Sequence, residues 1–124
     1  MASVTVSGCS GALDRGFITY SNEAKTEMLG VPAELIARHG AVSEEVVRAM
    51  AEGAIRHSRA QVSIAVTGIA GPGGGSAEKP VGTVWVGWSV GGNTFTDCLH
   101  LDGDRAAIRT ATLTHALQQL LRRV

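Results

Sequence analysis

Gln61-Val-Ser-Ile-Ala-Val-Thr67, then Gly68-Ile-Ala-Gly-Pro-Gly-Gly-Gly75, and after Glu78-Lys-Pro80 the run Val81-Gly-Thr-Val-Trp-Val-Gly-Trp-Ser-Val90, decide the architecture of this chain. Val62, Ile64 and Val66 alternate with small residues, which reads as a strand covered on both faces. A long glycine-rich loop from Gly68 to Pro80 follows. Val81 to Val90 and Asn93 to Leu101 are then two strand-like runs separated by Gly91-Gly92. A two-glycine separation predicts an antiparallel hairpin, because glycine accepts the positive φ that tight hairpin turns demand.

Downstream of the hairpin, Asp102 and Asp104 offer caps for a last helix with Ile108, Leu113, Leu117, Leu120 and Leu121 on its apolar side. Arg122 and Arg123 stand at its C-terminal end, where cations oppose the helix dipole favourably. Upstream, Ser43 caps a helix opened by Glu44 and Glu45, with Val46, Val47, Met50, Ala54 and Ile55 at helical spacing. Pro32 suits the start of a short helix over Ala33 to Arg38, stopped at Gly40. Ser21-Asn22 caps another over Glu23 to Leu29, ended by Gly30. Phe17-Ile-Thr-Tyr20 has strand composition, Gly8-Cys-Ser-Gly11 reads as a turn, and Ser3 to Ser7 alternates like a short strand. Strands and helices alternate first and a hairpin comes late. That order predicts one α/β domain over residues 1–124, with a mixed sheet containing a late antiparallel hairpin.

The 124 residues are 44% hydrophobic, enough to bury one core. Eleven basic residues balance eleven acidic ones, which removes the electrostatic footprint of a nucleic-acid binder. No run is long enough to span a membrane, and MASVTVSGCSG lacks both a basic opening and an apolar signal core. A cytoplasmic protein is expected. Cys9 and Cys98 have no metal-ligand spacing with each other or with the four histidines, so free thiols are expected and no metal. No cofactor motif is present: the glycine loop is neither a P-loop nor a dinucleotide fingerprint.

Two groups of residues are candidates for chemistry. The segment Gly68 to Gly75 lets backbone N–H groups converge on a phosphate or an oxyanion. A flexible connector is the competing reading of the same residues. Ser10, Tyr20 and Lys25 form the second group, since a serine becomes a nucleophile when a desolvated lysine takes its proton. On residue type alone the plainer reading prevails, with Ser10 one turn serine among several and Lys25 a solvated helix lysine. His39 and His57 fall near helix ends, and His100 and His115 are isolated. Trp85 and Trp88 fall on opposite faces of their strand. Arg105, after Asp102-Gly-Asp104, starts a helix from which it could reach an anion.

Four segments together carry a resemblance. Asp14-Arg-Gly-Phe-Ile-Thr-Tyr-Ser-Asn-Glu-Ala-Lys25, Gly40-Ala-Val-Ser-Glu-Glu45, Thr67 to Gly75, and Glu78-Lys-Pro-Val-Gly-Thr-Val-Trp85 resemble the CinA C-terminal domain family in order and spacing, as does Gly103-Asp-Arg105. The resemblance runs from Gly8 onward. It implies a three-layer α/β/α domain that hydrolyses the carboxamide of nicotinamide mononucleotide to nicotinate mononucleotide and ammonia. It assigns Ser10, Tyr20 and Lys25 to catalysis. Substrate binding falls to Thr67, Gly68, Gly71, Gly73, Gly74 and Gly75, with Lys79 and Arg105. Family members begin with an Ala-Glu-Ser-Cys-Thr-Gly-Gly-like segment that has no counterpart here. The expected consequences are a fragment, a substitute strand at Val4 to Val6, or a homo-oligomer whose partner covers the gap. An inactive nucleotide-binding or regulatory module of the same family is the rival expectation.

Overall fold

The computed structural model describes residues 12–124. The short strand expected at Val4 to Val6, the turn over 8–11 and Ser10 therefore lie outside the described residues. In chain order the elements are α1 (Asn22–Leu29), α2 (Ala33–His39), α3 (Glu44–Arg56), β1 (Val62–Gly68), β2 (Thr83–Val90), β3 (Asn93–His100) and α4 (Arg105–Arg123). Local chemistry sets most boundaries. The hydroxyl of Ser21 accepts the Ala24 N–H, that of Ser43 the Val46 N–H, and the Asp104 carboxylate the Ala107 N–H. Each satisfies an N–H that the first helical turn leaves without a partner. Gly30 ends α1 in the left-handed conformation, φ 71°, where a side chain would be strained.

β2 is the central strand of a three-stranded sheet of order β1-β2-β3. Val62 pairs with Val90 and Gly68 with Val84; Thr83 pairs with His100 and Val90 with Asn93. Gly91 and Gly92, both at positive φ, close the β2–β3 turn in the way the hairpin reading requires.

The alternation of β2 divides the core in two. Val84, Val86 and Trp88 face α4 and pack with Ile108 and Ala116. On the other face Ala65 and half-buried Trp85 meet Val46, Val47, Met50 and Ala51 of α3, with Leu29, Val31 and Ile36 closing the cluster from α1 and α2. Side-chain hydroxyls tie sheet to helix on that face: Ser63 donates to the Ala51 carbonyl at 2.7 Å, and Thr96 to the Glu44 carboxylate at 2.7 Å. Helices thus cover both faces, as expected of an α/β/α arrangement. Gly53 lets α3 approach α1 closely, since a Cβ there would collide with the Leu29 carbonyl. The opposite layer rests heavily on one residue. Trp88 is fully buried, its indole N–H donates to the Ala116 carbonyl at 2.9 Å, and the Arg123 guanidinium lies 4.8 Å from its ring centre.

Three expectations are corrected. Among the described residues the sheet is antiparallel throughout rather than mixed. The Gly68–Pro80 loop returns the chain beside β1 with no intervening helix, so β1 and β2 form a wide hairpin, whereas parallel neighbours need a crossover. Phe17 to Tyr20 forms no strand or other regular element. Phe17 packs on the α3-side cluster, yet no described neighbour supplies a ladder of hydrogen bonds, and the Thr19 carbonyl is taken by a lysine side chain. Finally, β1 is covered fully on one face only. Ile64 joins the α4-side cluster, but Val66 remains 43% exposed because α4 packs along β2.

Candidate active site

Lys25 lies on the inward face of α1, one helical turn before Leu29, and is buried with it. Only 6% of the residue is exposed, an unusual situation for an ammonium group. Its Nζ donates to the Thr19 carbonyl at 2.8 Å, folding the lysine back along the segment that leads into α1. Burial disfavours the charged form, which pushes its proton affinity below the ordinary lysine value of 10.5. A lysine that sheds its proton more readily is the kind of amine that can serve as a general base.

Tyr20 follows Thr19 directly, so the Lys25–Thr19 contact brings the amine to the backbone beside the tyrosine. The phenol itself points outward and is 85% exposed. Arg105, from the first turn of α4, reaches it: one guanidinium nitrogen donates to the Tyr20 hydroxyl at a long 3.5 Å, and another to the Gly71 carbonyl at 3.3 Å. Three segments distant in sequence therefore meet at Arg105. They are the run before α1, the glycine-rich loop and the start of α4.

The loop has a second tether. Lys79 donates to the His39 carbonyl at 2.8 Å, at the C-terminal end of α2, where the helix carries partial negative charge. Between the tethers, Ser76 and Lys79 exchange hydrogen bonds in a tight turn. Gly73 is open to space on its Cβ side, and Gly74 and Gly75 take positive φ, 82° and 87°. Among the described residues, the N–H groups of Gly73, Gly74 and Gly75 donate to no protein acceptor. Successive free N–H groups in such a conformation form a concavity for an anion.

Thr67 and Gly68 sit at the end of β1. The Thr67 hydroxyl is buried and donates to the Ala41 carbonyl at 2.8 Å, which fastens the α2–α3 connection to the sheet. Gly68 is crowded by Val84 and the Thr83 carbonyl. The structure thus joins Tyr20 and Gly71 through Arg105, holds the buried Lys25 on the carbonyl of Thr19, the chain neighbour of Tyr20, places Gly73 to Gly75 and Lys79 on the adjoining loop, and engages Thr67 in the framework. The expected nucleophile, Ser10, lies outside the described residues. The Thr19 carbonyl, the partner of Lys25, went unread because every residue has one and no sequence signal marks it. His115 also proves less isolated than its spacing implied: its Nε2 lies 3.0 Å from the Asp97 carboxylate and its ring is tilted against Trp88. No group of three or more metal-ligating side chains occurs among the described residues. No helix among them is long and apolar enough to cross a membrane.

Comparison with known proteins bears on this arrangement. A family model described as the CinA C-terminal domain matches residues 1–124. A CinA-like protein of Akkermansia muciniphila is 54% identical over 117 residues, covering 94% of this chain and 28% of that protein. Nicotinamide-nucleotide amidohydrolase PncC of Shigella flexneri is 50% identical over 118 residues, covering 93% of this chain and 70% of the enzyme. The crystal structure of competence/damage inducible protein CihA from Agrobacterium tumefaciens superposes with a TM-score of 0.91 at 48% identity, covering 94% of this chain and 72% of that one. The chain therefore spans a little over a quarter of the first relative and about seven tenths of the other two.

Proposed function

Because the chain belongs to the CinA C-terminal domain family, we propose that it carries amidohydrolase chemistry acting on nicotinamide mononucleotide, yielding nicotinate mononucleotide and ammonia. The observation that carries this reading is the buried, desolvated Lys25 amine, held on the carbonyl of Thr19, whose chain neighbour Tyr20 is tied through Arg105 to the glycine-rich loop. In the proposed reaction neutral Lys25, with Tyr20 as relay, takes the Ser10 hydroxyl proton as Oγ bonds to the carboxamide carbon. The tetrahedral oxyanion is met by backbone N–H groups, each such donor being worth about 3 kcal/mol. The C–N bond then breaks, the proton passes from lysine to the leaving nitrogen, and ammonia departs. Water, deprotonated by the same amine, cleaves the nicotinoyl ester and restores Ser10. The substrate phosphate is assigned to the N–H groups of Gly73 to Gly75, which have no protein acceptor among the described residues, with Lys79 and Arg105 supplying positive charge. No metal or cofactor enters this scheme.

The test is ammonia release from nicotinamide mononucleotide by the wild-type chain, Ser10→Ala and Lys25→Met. Release that depends on both residues supports the reading, and undiminished release by either variant overturns it. One observation favours a second reading: the Tyr20 phenol is 85% exposed, whereas acyl-transfer chemistry works best where water is excluded. A binding-only module predicts that the mononucleotide raises the melting temperature with no ammonia released.

A further inference from the structure

Three successive carbonyls between α2 and α3 are each taken by a side chain from a different place in the fold. His39 accepts from Lys79 Nζ, Gly40 from the Ser43 hydroxyl and Ala41 from the Thr67 hydroxyl, each at 2.8 Å. Among the described residues no backbone N–H serves any of the three. The end of a helix leaves carbonyls without intrahelical donors, and side chains arriving from elsewhere fix the turn that follows. Ser43 is local, as the cap of α3. Thr67 and Lys79 come from the two ends of the glycine-rich loop, Thr67 just before Gly68 and Lys79 just before Pro80. Both limbs of the loop are therefore pinned to one turn, at carbonyls two residues apart.

The pin at Lys79 leads on to the anion concavity. Its side chain reaches His39 across Gly40, which takes φ 80°; a Cβ there would stand 3.0 Å from Nζ. Its backbone holds Ser76: the Lys79 N–H donates to the Ser76 hydroxyl at 3.1 Å, and the Ser76 N–H to the Lys79 carbonyl at 2.9 Å. Ser76 directly follows Gly73-Gly-Gly75. One residue thus ties the end of α2, which packs into the α3-side core through Ile36, to the glycines of the loop. Arg105 holds the other side of the same glycines at Gly71. Without such ties three consecutive glycines would sample many backbone states, and ordering them on binding would weaken the hold on a ligand.

We propose that Lys79 is a positioning residue: its anchorage on the turn over 39–41 preorganises the glycine-rich loop before a phosphate arrives. The turn opens the Gly40-Ala-Val-Ser-Glu-Glu45 segment, which thereby gains a role in the site without touching the ligand. The mononucleotide as ligand is taken from the proposed function, whereas the order of the ligand-free loop is independent of it.

Backbone amide order parameters of Gly73, Gly74 and Gly75, measured by NMR relaxation on the ligand-free chain, test this. Wild type should lie near the rigid value of about 0.85, and Lys79→Met should bring the three glycines below about 0.6. Calorimetry with nicotinamide mononucleotide should show Kd raised about tenfold in the same variant. A lysine that served the phosphate only as a charge would weaken binding equally but leave the ligand-free loop as ordered as in wild type. That result overturns the proposal, as does a wild-type loop already below about 0.6. Thr67→Val keeps the Lys79 charge and removes the other pin of the turn, so it should also loosen the three glycines. Unchanged order parameters in this variant equally overturn the proposal. Circular dichroism checks that both variants are folded. A wild-type chain that binds no mononucleotide would overturn the amidohydrolase reading, while the order parameters still decide the role of Lys79.

Discussion

Trp88→Phe should loosen the whole α4 layer, and the size of the effect follows from what the indole touches. The residue is fully buried on the central strand. Phenylalanine preserves an aromatic ring in the same place but removes the N–H that serves the Ala116 carbonyl, at a cost of about 1 kcal/mol. The smaller ring leaves unfilled space against Ile108 and Ala116, at about 1 to 2 kcal/mol where neighbours relax only partly. It also offers the Arg123 guanidinium a weaker aromatic face, at about 0.5 kcal/mol. A loss of about 3 kcal/mol results. Unfolding entropy of about 2.1 cal/mol/K per residue over 124 residues converts this to a fall in Tm of about 12 °C. Thermal unfolding followed by circular dichroism measures it, with Trp85, the remaining tryptophan, as a fluorescent reporter of the other face. A fall of less than about 3 °C would refute the reasoning, because α4 would then be held by something other than this indole.

Three further outcomes follow. Lys25→Met should lower ammonia release at least about a hundredfold while leaving the melting temperature equal to or above that of wild type, since it removes a desolvated cation; a large loss of stability would mean that the contact with the Thr19 carbonyl holds α1 in place. Because the folded chain binds the Lys25 proton less tightly than the unfolded one, wild-type stability relative to Lys25→Met should rise with pH between the folded value and 10.5. Urea titrations of both proteins at about pH 7 and about pH 10 measure this, and an unchanged difference would count against a depressed lysine. Gly53→Ala should cost about 2 kcal/mol by driving α3 off the Leu29 carbonyl, read as a fall of roughly 8 °C in Tm.

Much of this structure was readable in the sequence wherever the cause is local. Ser21, Ser43 and Asp104 cap their helices because a hydroxyl or carboxylate two or three residues before an N–H suffices. Gly91-Gly92 turns the hairpin for an equally local reason. The errors share a different origin. A strand exists only with a partner, so the β-like composition of Phe17 to Tyr20 makes none where no neighbour among the described residues pairs with it. Whether β1 and β2 run parallel or antiparallel depends on where a thirteen-residue loop over 68–80 delivers the chain, which glycine content leaves open. Half-exposed Val66 depends on how far α4 reaches across the sheet. In the candidate site, the lysine was identified by its resemblance to a family motif, whereas its burial and its carbonyl partner are properties of the folded chain. The proposed nucleophile at position 10 awaits the kinetic test.

Arg105 and Lys79 both hold the glycine-rich loop through uncharged carbonyl oxygens, and among the described residues neither is engaged by a carboxylate. Among the described residues, neither cation is therefore offset by an ion pair while it acts as a fastener. A negatively charged guest arriving at the loop can recruit either side chain by displacing a neutral oxygen, with no opposing ion to be torn away first. Capture at such a mouth should be quick and easily reversed, and it should fade as added salt crowds the two cations.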